Sequence, residues 1–149
     1  MNGRKSLALV LALVAWPVVA AAQSSNSHLA VSADGKWLAV ANRDNGSVTV
    51  VDLASRDAAR EIAVGKHPES VLFLDGGDTV VVSLHGDDEI VFCERATGRV
   101  TDRVAVFDEP YGLATDGATV FATLEFPGEV VAIDAKSRRI ERKGQVGSM

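Results

Sequence analysis

Residues 33–68, ADGKWLAVANRDNGSVTVVDLASRDAAREIAVGKHP, form a unit that the chain states three times, and this constrains the fold more than any other property. Pro68 recurs as Pro110, 42 positions on. At that offset WLAVAN stands over TVVVSL and VTVVD over IVFCE, without a gap. A third copy follows 40 positions after the second and sets TVFATL and VVAID in the same two slots. Repeats of about 40–45 residues built from short β-type runs are the mark of β-propeller blades. Runs such as VTVV and EVVAI are apolar at nearly every position, as a strand reads when both its faces are covered. The fourth runs, REIAV and RRIER, mix charge with aliphatic side chains, which suits an outer edge. The expected fold is all-β, a partial propeller of about three four-stranded antiparallel blades at 28–68, 69–110 and 111–149.

Turn chemistry divides each blade. In the first, strands are expected at 29–32, 36–42, 47–52 and 60–64, with turns at Asp34-Gly35 and Asp44-Asn45-Gly46 and a loop over 54–58. In the second they fall at 70–74, 79–84, 89–94 and 99–106, with turns at Gly76-Gly77, 85–88 and Ala96-Thr97-Gly98. In the third they fall at 112–115, 119–124, 129–134 and 138–143. Glycine after Asp or Asn supplies the positive φ that tight hairpins demand.

The N-terminus has a different character. Arg4 and Lys5 precede an uncharged run, LALVLALVAWPVVAAA, that ends in three alanines before Gln23. A basic head, an apolar middle and small residues at the cleavage positions predict a signal peptide over 1–22. Its apolar run is short for a bilayer span and contains a proline, so no stable membrane span is expected after cleavage. A polar, disordered leader is expected over 23–27, and the destination is periplasmic or secreted. Cleavage takes the formal charge from −5 to −7, since it removes two cations and no acid. So acidic a domain lacks the basic footprint that nucleic acid requires. The single cysteine, Cys93, can form no internal disulfide and sits in the slot of Val51 and Ile133, so it reads as a small buried hydrophobe. There is no Cys-x-x-Cys-His for covalent haem attachment.

These residues resemble the YVTN-repeat β-propellers, which include surface-layer-type repeat proteins. Ala33-Asp34-Gly35 is similar to that family's Pro-Asp-Gly turn, and Leu38-Ala39-Val40-Ala41-Asn42 to its Leu-Tyr-Val-Ala-Asn strand. Thr49-Val50-Val51-Asp52 and Val64-Gly65-Lys66-His67-Pro68 complete the likeness. Later copies depart: Asn42 becomes Leu84 and Leu124, Gly65 becomes Phe107, and Asp52 becomes Glu94 before Asp134 restores it. The resemblance implies an architecture and leaves activity open, because such repeats serve many roles.

Propellers close with about four to eight blades, or about 160–340 residues at this period. The 127 residues left after cleavage of 22 hold three copies. A blade cannot bury its own faces. The expectation is therefore an N-terminal portion of a longer propeller, with the remaining blades supplied by further chain or by self-association.

In a meander, alternate turns fall on the same sheet edge. The turns joining second and third strands carry Arg43, His85 and Glu125, and the links between blades carry His67, Glu109 and Tyr111. These six are the expected ligand-binding residues, gathered on one face of the disc. His67 and Glu109 occupy equivalent positions one blade apart, but one His and one Glu in different blades do not make a metal-ligand spacing, and no metal is assigned. There is no Gly-x-Ser-x-Gly elbow and no phosphate-cradling loop, so no catalytic residue or cofactor is assigned either. The expected function is an exported scaffold for an unidentified small molecule or protein. The alternative, which the resemblance implies, is the propeller portion of a periplasmic redox enzyme, like the amine dehydrogenase heavy subunit, haem nitrite reductases or cytochrome-c-fused propellers.

Overall fold

The computed structural model describes residues 26–126 and 128–146; the expected signal peptide lies outside them. Among the described residues twelve strands form three four-stranded antiparallel sheets. Blade 1 holds β1 (Asn26–Val31), β2 (Trp37–Asn42), β3 (Ser47–Asp52) and β4 (Asp57–Ala63). Blade 2 holds β5 (Pro68–Leu74), β6 (Thr79–Leu84), β7 (Glu89–Glu94) and β8 (Val100–Ala105). Blade 3 holds β9 (Pro110–Thr115), β10 (Thr119–Leu124), β11 (Glu129–Asp134) and β12 (Ile140–Gln145). Each sheet is an up-and-down meander in chain order, and the inner strands β1, β5 and β9 lie beside one another in turn. Among the described residues no helix is long and apolar enough to cross a membrane.

The repeat is visible in the register. Trp37 pairs with Asp52 and Asn42 with Ser47; Thr79 pairs with Glu94 and Leu84 with Glu89; Thr119 pairs with Asp134 and Leu124 with Glu129. Alternation then decides which side chains meet which neighbour, because successive residues of a strand face opposite sides of the sheet. Ala39, Val48 and Val50 of blade 1 pack against Val80, Val82 and Val91 of blade 2. Val81, Ile90 and Phe92, on the other side of blade 2, pack against Val120, Ala122 and Ile133 of blade 3. Cys93 is wholly buried in the first of these layers, and burial pushes its thiol up to about 11.

The departures from the repeat have local causes. Asn42 donates through Nδ2 to Ser47 Oγ (3.0 Å) and Thr49 Oγ1 (2.8 Å), pinning its hairpin. Leu84 and Leu124, in the same slot, instead fill the layers between blades. Asp52 and Asp134 each accept two backbone N–H bonds from the turn that follows, and the Ser137 hydroxyl first, then the Ser137 N–H, hold Asp134 below the usual carboxylate range. At Glu94 the longer side chain takes the Thr97 hydroxyl instead, at 2.6 Å.

Several boundaries differ from expectation. β1 starts at Asn26, so the last two residues assigned to a disordered leader are in strand, with Asn26 paired to Asn42. β4 starts at Asp57, inside the expected loop, because the Asp52 turn is already closed by the Arg56 N–H on the Asp52 carbonyl (2.7 Å). Asp75–Gly77 is a short 3-10 turn. Arg138 belongs to a turn, with φ 60°, and β12 begins only at Ile140. Val106 leaves the β8 ladder to donate to the Asp88 carbonyl at 2.9 Å.

Candidate functional site

The links between blades are stitched to the hairpins joining second and third strands, which puts both on one face. The link leaving blade 1 is held by Val64 N to Gly46 O (2.9 Å), and by His85 N to His67 O (3.0 Å) and Gly86 N to Lys66 O (3.2 Å). Side chains reinforce it: Asp87 Oδ2 accepts from Lys66 N at 2.7 Å. The link leaving blade 2 repeats the pattern with Val106 N to Asp88 O, Glu125 N to Glu109 O (3.1 Å) and Glu109 N to Asp88 Oδ1 (2.9 Å). Phe107, Asp108 and Glu109 are consecutively left-handed, with φ between 53° and 64°. Each such non-glycine residue costs about 1–2 kcal/mol, so the fold holds this link in a conformation the residues resist.

The six expected residues divide into two groups. His85, Glu109 and Glu125 converge: His85 Nε2 lies 3.1 Å from Glu125 Oε2 and 3.8 Å from Glu109 Oε2. The His85 ring is mostly buried, whereas both carboxylates are about half exposed. His85 and Glu109 line a depression of about 630 Å³ together with His67, Asp88, Asp108 and Phe126. His67 and Glu109 hold equivalent places in successive links, each carbonyl accepting from the hairpin that follows (His85 N and Glu125 N), and both line this depression. The Glu109 carboxylate meets the imidazole of the preceding hairpin, His85.

Arg43 and Tyr111 belong to the second group, with two residues the sequence did not single out. Arg43 Nε donates to Glu69 Oε1, and that carboxylate pushes the guanidinium further above its ordinary value. Glu69 is 5% exposed on inner strand β5. The His28 ring nitrogen Nδ1 donates to the Glu69 carbonyl at 2.6 Å, and the Tyr111 ring stands edge-on to His28 at 5.9 Å. A hydroxyl chain fixes this region from behind: Ser70 N donates to Ser83 Oγ, which donates to the Tyr111 carbonyl at 2.7 Å. The available signal was an acid in Pro-Glu-Ser-Val-Leu-Phe-Leu, a largely apolar inner strand, where the next copy has tyrosine.

The comparisons with known proteins agree on architecture. The family described as "Lactonase, 7-bladed beta-propeller" matches residues 2–120. An uncharacterized WD repeat-containing protein of Synechocystis sp. is 38% identical over 82 residues, which is 53% of this chain and 22% of that protein. A chain of Kuenenia stuttgartiensis hydrazine synthase superposes with a TM-score of 0.74 at 24% identity, covering 79% of this chain and 35% of that one. The chain thus spans well under half the length of each of these two proteins, and the second likeness is one of fold.

Proposed function

Because the chain belongs to the lactonase, seven-bladed β-propeller family, we propose that it is an arc of a larger wheel whose link-bearing face binds a small-molecule ligand. The observation that carries this reading is the convergence of hairpins and links from all three blades on one face. Histidine, acids, Arg43 and Tyr111 are collected there beside a depression. Polar groups converging on a concavity at element junctions are the usual form of a binding site.

The flanks support the wheel. Phe121 occupies the slot of Ala39 and Val81, which are buried against the following blade, yet it is 36% exposed. Leu29 and Val31, cross-strand from Val40 and Leu38, are exposed on the opposite flank. Soluble proteins rarely leave such sheet faces open, so further blades, from this chain's continuation or another copy, cover both. The finer YVTN-type assignment draws support from the turn-closing Asp52 and Asp134 and the hairpin-pinning Asn42. Export to the periplasm draws support from the basic head and apolar run of the N-terminus.

The test is calorimetry of the metal-free chain against a panel of lactones and small hydroxy acids, repeated with Tyr111→Ala. A binder weakened by that change supports the reading. A panel without any binder, or binding indifferent to Tyr111→Ala and Arg43→Met, overturns it. Electron transfer with a haem or quinone partner would favour the redox alternative. Cell fractionation tests export: a cytoplasmic, full-length product would refute it.

A further inference from the structure

We propose that His85, Glu109 and Glu125 form a binding site for a first-row divalent transition cation, of which Zn²⁺ is the type. The three donors come from three separate segments: the β6–β7 hairpin, the link before β9 and the β10–β11 hairpin. Their ligand atoms all lie within 4.8 Å of one another. Two ligands about 2.0–2.1 Å from a tetrahedral metal stand about 3.3 Å apart. The separations from His85 Nε2, 3.1 and 3.8 Å, bracket that spacing, so small side-chain rotations suffice.

Charge favours a cation as well. Among the described ion pairs Glu109 and Glu125 have His85 as their one partner, and a protonated imidazole offsets only one of two carboxylates. Asp88 and Asp108 line the same depression and add to the negative field. The backbone holds the donors together, since Glu125 N donates to Glu109 O while Asp88 Oδ1 anchors Glu109 N. One imidazole with two carboxylates suits zinc and its neighbours, whereas calcium and magnesium prefer an all-oxygen shell. Three protein ligands, two of which line an open depression, would leave a position for water or a ligand atom.

The repeat supplies an internal contrast. One blade earlier, the same three slots hold Arg43, His67 and His85, a set containing a guanidinium that cannot ligate. The donor set is thus particular to the junction of blades 2 and 3. It stands on donor geometry alone and does not require the organic ligand proposed above.

Titration of the metal-free chain with Zn²⁺ by calorimetry, and with Co²⁺ by visible absorption, tests it. One equivalent is expected to bind, with Ca²⁺ and Mg²⁺ at least about tenfold weaker. Glu109→Gln and Glu125→Gln, both at exposed positions, should each lower Zn²⁺ affinity at least about tenfold. Glu141→Gln, on exposed β12, should leave it unchanged. Absence of binding at millimolar Zn²⁺, equal preference for Ca²⁺, or affinity unaltered in both glutamine variants would overturn the assignment.

Discussion

Removing Arg43 should destabilise the protein more than removing the charge of its partner, although both changes break the same ion pair. The Glu69 side chain is 6% exposed, whereas that of Arg43 is 36% exposed. Arg43→Met leaves a carboxylate enclosed at the inner strand without its cation. Breaking a fully buried pair costs about 3–5 kcal/mol, and the half-open arginine end brings this to about 2–3 kcal/mol. Glu69→Gln keeps the shape and a hydrogen-bond acceptor, and leaves a guanidinium that reaches water, at about 1 kcal/mol. In urea unfolding the difference would appear as a shifted midpoint at unchanged slope, and in melting as a Tm loss of roughly 10 °C for Arg43→Met against roughly 4 °C for Glu69→Gln. The double variant should recover at least about 1 kcal/mol relative to additivity. Equal costs for the two single variants, or strict additivity in the double, would show that burial asymmetry does not govern this pair.

Glu109→Gly should raise stability by about 0.5–1 kcal/mol in urea, because glycine relieves the left-handed backbone at φ 53° by more than it adds to unfolded-chain entropy; a loss would contradict the strain argument. Asp34 is held at about 2, below its ordinary 3.8, chiefly by the Ser32 hydroxyl and then by the Lys36 N–H. Its contribution is therefore present above about pH 4 and lost as pH falls towards 2. Asp34→Asn should flatten the pH dependence of stability across that window, and an unchanged slope would count against it. Cys93, wholly buried with a thiol pushed up to about 11, should resist a disulfide-exchange reagent at pH 8 in the native chain and react fully in urea. Rapid native labelling would mean that the layer between blades 1 and 2 opens.

The sequence by itself determined the blades. Strand alternation and glycine-bearing turns act over a few residues, so aligning three copies was enough to place β3, β6, β7, β10 and β11 at their observed bounds and β2 within one residue of its start. The same local logic put Arg43, His67, His85, Glu109 and Glu125 on one face, because alternate turns of a meander share an edge. Where an Asp side chain closed a turn early, as after Asp52, strand ends moved, since hydrogen bonds and not apolar pattern decide the last residue of a strand. Only the tertiary structure decided which side chains meet. Glu109 faces His85 and not His67 because the left-handed run from Phe107 to Glu109 turns the link, something no glycine in that stretch announces. Arg43 reaches Glu69 across 26 positions because β5 lies beside β1 and β2. Such contacts depend on how the slabs stack around their axis, and that stacking is the summed result of two apolar layers between blades, which no single repeat contains.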